Sequence, residues 1–486
     1  MPRRWCLLPV LICVCAYAVA VSSKQTSARL PVTTSSAEAR QRFERAMRYY
    51  ERYDMSQTLS DLREAAKADP DFAQALILIS HLSRDPVEQA ATRKHAKQLA
   101  PKVSGSEQLL IRWMAGAQEN DYLPAIAAMN DLLERFPNDE RLAFMAGGWL
   151  NSQQRYDQAV FVLERAVTAH PNYPAALNNL AYAYAYTGAF EKAFAAMDRY
   201  IALEPDQANP HDSYGELLRM DGKFDAALEQ YRMSVQIDPN FGSEVGIADT
   251  YALMGKEQEA REEYDRAMVF AASRGDKVEF QLQSAQTWIR ENNPKAATKA
   301  LAEVEKEAHA AGLGRWEAEA HRMAAMCQPE YKVALKELQS AQHALEEHPI
   351  SASDHDEEQA RVLRVLVTRA AEATDMQMAI DSLNQLAGMA EKSKSQAIRI
   401  SYQSAAGAVL VAQENFTEAI PHLEEAAEDP MAMQFLWKCY SRSGATEQAQ
   451  ALAAKLTGLN VPTVEQALVV PRFRENMLSQ AAQQSH

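Results

Sequence analysis

Four prolines, Pro137, Pro171, Pro205 and Pro239, recur at intervals of 34 residues without a gap. Each closes a similar phrase: RFPND, AHPNY, LEPDQ and IDPNF. Proline lacks an amide hydrogen and clashes with the preceding helical turn, so it ends helices. A strict period of this length marks a chain built by stacking equal units, none of which buries its apolar face alone. Such a chain escapes the size limit that divides most chains of 486 residues into several compact cores. Composition agrees: glycine (17) and proline (20) are scarce, helix formers dominate, and alternating β-branched runs are nearly absent.

Within the period, apolar residues follow helical spacing. In the unit from Pro174 to Glu204, Leu177, Leu180, Ala181 and Tyr184 share one face of a first helix. Gly188 marks a turn, and Phe190, Ala193 and Met197 face inward on a second helix. The next unit repeats this with Tyr214, Gly215, Leu218, Gly222, Phe224, Ala227 and Tyr231. The unit before it offers Ala146, Gly147, Leu150, Tyr156, Ala159 and Leu163. Small residues at 147, 181 and 215 let the paired helices approach, and those at 159, 193 and 227 admit the neighbouring helix.

This pattern resembles the tetratricopeptide repeat family, with its 34-residue unit and helix-ending proline. The resemblance, to exported bacterial members of the family, is clear over about 106–270. It implies an all-α, right-handed superhelical solenoid, here of about ten to twelve antiparallel helix pairs. Residues 37–105 read as degenerate pairs, 106–272 as tetratricopeptide repeats, and 277–458 as divergent pairs. Residues 463–479 read as a terminal helix capping the last apolar face, and 480–486 as a disordered tail. The polar stretch His348–Glu358 reads as a long loop or a break between two halves.

The first 20 residues carry Arg3 and Arg4, then an uncharged apolar run and Ala18-Val19-Ala20, the pattern of a secretory signal peptide. The expectation is an exported chain, periplasmic or secreted, with a Ser/Thr-rich flexible leader over 21–36. The alternative is a signal retained as an inner-membrane anchor, the one route to membrane association. Removing residues 1–20 takes the net charge from −15 to −17. That acidity repels phosphate backbones and argues against nucleic acid. Cys327 and Cys439 remain and read as two buried free thiols.

Catalytic and cofactor motifs are absent from the sequence: no glycine-rich phosphate loop, no HExxH, no CxxC beyond the first 20 residues, no GxSxG. The cluster His343, Glu346, Glu347, His348, Asp354, His355 and Asp356 reads as solvated charge rather than a metal site, because its spacing is irregular. The expectation is a non-enzymatic scaffold without cofactor or metal.

The family resemblance implies that first helices line a concave groove. By register its lining is Phe144, Met145 and Asn151, then Asn178, Asn179, Tyr182 and Tyr186, then Asp212, Ser213, Glu216 and Arg219. Peptide-binding members often place asparagine where Asn179 stands, but Met145, Ser213 and Gly246 occupy the equivalent positions, so no asparagine ladder forms. The lysine clamp of chaperone-tail binders is missing too. The expected partner is a protein or peptide, basic or neutral given the charge. A second reading is an accessory or assembly subunit of an envelope complex, using outer or C-terminal faces. A third, an enzyme with an unrecognised site in the C-terminal half, has no motif behind it.

Overall fold

A residue in the left-handed region stands at the turn inside each of four successive helix pairs. These residues are Asn120, Gln154, Gly188 and Gly222, with φ of 59°, 55°, 79° and 76°, again 34 residues apart. Glycine reaches this region freely, whereas a side chain there costs roughly 1–2 kcal/mol. The backbone repeat thus includes positions 120 and 154, where the sequence has no glycine. The same turn recurs at Tyr53, Gly255, Asn292, Thr374, Glu414 and Gly444.

The computed structural model describes residues 29–484, with side chains to residue 479. The signal-peptide reading of 1–20 lies outside the described residues, as does the leader before residue 29. Among the described residues there are 25 α-helices, one 3₁₀ turn at Ala100–Lys102 and no strand. The first pairs are α1 (Ala37–Tyr50) with α2 (Met55–Ala68), and α3 (Ala73–Leu82) with α4 (Pro86–Leu99). Next come α5 (Gly105–Gln118) with α6 (Tyr122–Arg135), and α7 (Glu140–Ser152) with α8 (Tyr156–Ala169). The middle holds α9 (Pro174–Tyr186) with α10 (Phe190–Leu203), α11 (Ala208–Met220) with α12 (Phe224–Ile237), and α13 (Glu244–Leu253) with α14 (Glu257–Val269). Longer helices follow: α15 (Arg274–Arg290) with α16 (Pro294–Ala310), α17 (Gly314–Cys327) with α18 (Tyr331–Glu347), and α19 (Ala352–Glu372) with α20 (Met376–Lys392). The last pairs are α21 (Gln396–Ala412) with α22 (Phe416–Glu425), and α23 (Pro430–Ser443) with α24 (Thr446–Thr457), before the lone α25 (Val464–Gln484).

Twelve pairs and a terminal helix make an all-α solenoid. Small residues set its spacing. A Cβ added at Gly147 would sit 2.5 Å from Leu163 Cγ, and one at Gly246 would sit 2.2 Å from the Tyr231 ring. Ala159, Ala193, Ala227 and Ala260 are fully buried where helices cross. First helices of neighbouring pairs touch from α7 through α23, whereas second helices of neighbouring pairs make no comparable contact. The row of first helices is therefore the inner, concave side.

The superhelix closes on itself. Helix α5 meets α19, seven pairs on. Arg84, between α3 and α4, pairs with Asp276 of α15 at 2.9 Å, and Asn120 donates to the Ala352 carbonyl at 2.9 Å.

Three segments differ from the sequence expectations. His348–Glu358 is mostly helical: Ser351 caps α19 by accepting from the Asp354 amide at 3.1 Å, which leaves a junction of only four residues. Helix α25 extends to Gln484, through residues expected to form a tail. It also does more than cover the end of the stack. It crosses inward to lie against α15 as well as α23 and α24, with Val464 and Ala467 packed beside Val278 and Leu282. The third is the leader, whose residues 29–36 are held against the concave face.

Candidate functional site: the concave face

Residues 30–34, which form neither helix nor strand, cross the first helices. The Leu30 amide donates to Asp139 Oδ2 at 2.7 Å, and the Thr33 amide donates to Glu107 Oε1 at 2.7 Å. Gln74 Nε2 donates to the Pro31 carbonyl at 2.6 Å, and Arg40 donates to the Val32 carbonyl at 3.1 Å. The side chains of Leu30 and Val32 pack on the apolar core. Glu107 is fully buried and belongs to a capping box with Ser104 at the start of α5. One carboxylate thus caps the start of a helix and accepts from the backbone of the leader. The Ser104-x-x-Glu107 signature is visible in the sequence, but its second role is not.

The residues expected in the groove divide into two groups. Phe144, Met145, Asn178, Asn179, Ser213 and Arg219 are buried within the chain. Helix α1 reaches over α7, so that Tyr50 and Tyr53 meet the Phe144 ring edge-on at 5.2 and 5.9 Å. The Asn179 amide is engaged on both sides: Oδ1 accepts from Tyr53 Oη at 2.7 Å, and Nδ2 donates to the Phe144 carbonyl at 3.0 Å. Asn151 Nδ2 donates to the Asn179 carbonyl at 2.9 Å. These asparagines tie neighbouring helices together, and the buried Asn179 amide already spends one acceptor site on Tyr53 and one N–H on the Phe144 carbonyl.

The second group reaches the surface. Tyr186 is 42% exposed and stacks on Tyr156 with ring centroids 4.6 Å apart. Tyr182 lies 6.4 Å from Tyr186 and donates to Glu216 Oε2 at 2.6 Å. Tyr156, from a second helix, was not among the residues expected here. Below this shelf runs a charged chain: Arg219 pairs with Glu216 at 3.1 Å and with buried Asp249 at 2.6 Å. Tyr264 also donates to Asp249. Burial, with Glu216 and Glu244 nearby, pushes the Asp212 carboxyl up to about 7, against the pull of Ser243 and Arg219. The exposed part of the middle groove is therefore tyrosine-lined and acidic, with one carboxyl that titrates near neutrality.

Farther along, α25 fills the inner face. Glu465 accepts from Arg364 and lies 3.8 Å from Arg322. Arg322 donates to buried Glu358 at 2.5 Å, and Arg364 pairs with Asp429. Cys327 and Cys439 are free thiols, and burial pushes them up to about 12 and about 11. Such thiols are poor nucleophiles.

No curated protein matches the chain. Among solved structures, the chain is similar to yeast Tom70, at 14% identity and TM-score 0.44, over 86% of this chain and 98% of that one. It is also similar to the APC/C hetero-tetramer Cut9-Hcn1, at 16% identity and TM-score 0.43, over 85% and 79% of the two chains. A thermophilic protein of Thermus thermophilus, described as a TPR protein, aligns at 17% identity and TM-score 0.32 over 41% of this chain and 98% of its own. One family model matches, that of the tetratricopeptide repeat, over residues 150–217. That span runs from the end of α7 into α11 and holds Tyr156, Asn178, Asn179, Tyr182, Tyr186, Asp212 and Glu216, so the tyrosine shelf lies within the segment similar to tetratricopeptide repeats.

Proposed function

We propose that this helical-repeat scaffold binds an extended peptide segment of a partner protein on its concave face, at the shelf formed by Tyr156, Tyr182 and Tyr186. The observation that carries this reading is the chain's own segment 30–34, whose backbone is held by side chains of α3 and α5 and by Asp139 at the start of α7. The concave face thus already holds one non-helical segment of the chain through its main chain. Past that segment, the face continues into the tyrosine shelf, where rigid aromatic area sits beside acidic groups.

The acidic surroundings, Asp212, Glu216 and Glu244, favour a basic or neutral segment. The signal-peptide pattern of residues 1–20 supports an exported protein with an envelope or secreted partner. The test is fluorescence polarisation with a library of labelled basic, neutral and acidic peptides on the full chain. Binding of basic or neutral peptides, weakened at least tenfold by Tyr186→Ala (about 1.4 kcal/mol), supports the reading. Binding that ignores Tyr186→Ala and Glu216→Lys counts against it. One observation favours a second reading, docking on the outer face: Phe161 of α8 is 62% exposed on a second helix.

A further inference from the structure

His309, Glu317 and His348 are scattered in sequence, yet the ends of α16, α17 and α18 bring them together. His309 lies in the last turn of α16, Glu317 in the first turn of α17, and His348 caps the C-terminus of α18. His309 Nδ1 is 3.1 Å from Glu317 Oε1, and His348 Nε2 is 3.5 Å from Glu317 Oε2. One ligand atom from each of the three side chains falls within 4.8 Å of the other two. The Glu317 side chain is 10% exposed and that of His348 16%. The His348 Nε2 atom is buried and makes no hydrogen bond. Two glycines permit the approach. Gly312 turns the chain at φ +68°, and a Cβ on Gly314 would fall 2.7 Å from the Ala344 carbonyl oxygen and 2.9 Å from His348 Cβ.

The geometry points to a divalent transition-metal site of the zinc class, formed by His309 Nδ1, the Glu317 carboxylate and His348 Nε2. Metal bonds of about 2.0–2.2 Å at tetrahedral angles set ligand atoms about 3.3–3.5 Å apart. Both imidazole-to-carboxylate separations lie close to that value. The His309 side chain, 52% exposed, has room to swing toward His348. Two imidazoles and one carboxylate suit zinc and its neighbours, whereas calcium and magnesium take oxygen ligands. Three protein ligands leave a fourth position on the exposed His309 side for water.

A second cluster on the same helices shows the contrast. His321 Nδ1 lies 2.8 Å from Glu337 and 3.3 Å from Glu305. There a single nitrogen serves both carboxylates, which is an ion pair needing a proton. In the first cluster two separate rings aim a nitrogen at one carboxylate. A bound ion would clip the α16–α17 turn to the four-residue junction before α19, and so stiffen the second half of the solenoid.

The experiment uses the untagged full chain, stripped with chelator. It is titrated with Zn²⁺ by calorimetry and with Co²⁺ by visible absorption. The expected result is one equivalent of Zn²⁺ and a tetrahedral Co²⁺ spectrum. Loss of a direct ligand should cost at least the roughly 10–100-fold in affinity that loss of an outer-shell partner costs. His309→Ala and Glu317→Gln should show that loss, while His321→Ala binds as the parent does. His309 is half exposed, so its variant retains the parent helical content and keeps the test valid if Glu317→Gln misfolds. Absence of saturable binding would overturn the inference, as would an octahedral Co²⁺ spectrum or parental affinity in His309→Ala.

Discussion

Replacing Glu465 by glutamine removes the charge that seats α25 on the inner face. The carboxylate accepts from Arg364 and lies 3.8 Å from Arg322, with its side chain 15% exposed. Burial pushes this carboxyl upward, but the two guanidiniums outweigh burial and hold it down to about 2. At about 1.36 kcal/mol per pH unit, that displacement from the ordinary carboxylate range amounts to about 3 kcal/mol. Breaking a buried pair by removing one partner costs about 3–5 kcal/mol. The lower end applies, because Arg322 keeps Glu358 at 2.5 Å, Arg364 keeps Asp429, and the new amide still accepts a hydrogen bond. We expect Glu465→Gln to cost about 2–3 kcal/mol, felt as undocking of α25 rather than unfolding of the stack. Hydrogen-exchange protection over 464–479 should fall roughly 30- to 150-fold, and protection in α7–α11 should hold. The pH dependence has a definite sign. A depressed carboxyl contributes fully above its unfolded value, near 4.3, and its contribution fades as pH drops toward 2. The parent should therefore loosen α25 over that window, and the Glu465→Gln chain should lack that step. Unchanged protection over 464–479 would refute the reasoning, as would an equal loss along the whole chain.

Three further outcomes follow from local geometry. Gly246→Ala places a Cβ 2.2 Å from the buried Tyr231 ring, so overpacking should lower stability by about 1–3 kcal/mol in urea unfolding. Thr374, β-branched at φ +60°, is strained, and Thr374→Gly should raise stability by about 1 kcal/mol in the same assay. Because Asp212 is pushed up to about 7, it gains its charge between pH 6 and 8. A basic peptide in the groove should then bind several-fold tighter at pH 8 than at pH 6 (each factor of 5 being about 1 kcal/mol), a difference that Asp212→Asn removes.

The repeat was legible because a helix-ending proline and a small crossing residue act locally, and each leaves a mark at its own position. The turns at Asn120 and Gln154 were less so, since neither residue type by itself announces a left-handed backbone. The contacts of the groove residues were not legible in the sequence. Register puts Asn179 on the concave side, yet its partner Tyr53 lies 126 residues earlier and arrives only because α1 folds over α7. Thr33 is likewise fixed by Glu107, 74 residues away, so its Ser/Thr-rich surroundings read as a free leader. His348 sits in a polar run that looks like solvated loop, and Ser351 capping α19 makes most of that run helical. Its approach to Glu317 and His309 depends on the ends of three helices converging, which sequence spacing does not encode.

Photo-crosslinking tests the central claim most directly. A benzophenone side chain is placed at Tyr186 on the concave shelf and, in a separate chain, at Phe161 on the outer face. Each protein is irradiated with the same labelled basic and neutral peptides. We predict saturable labelling from position 186, suppressed by excess unlabelled peptide and by Glu216→Lys, with little from position 161. Equal labelling from the two positions, or labelling confined to position 161, would contradict the claim that this solenoid works through its groove.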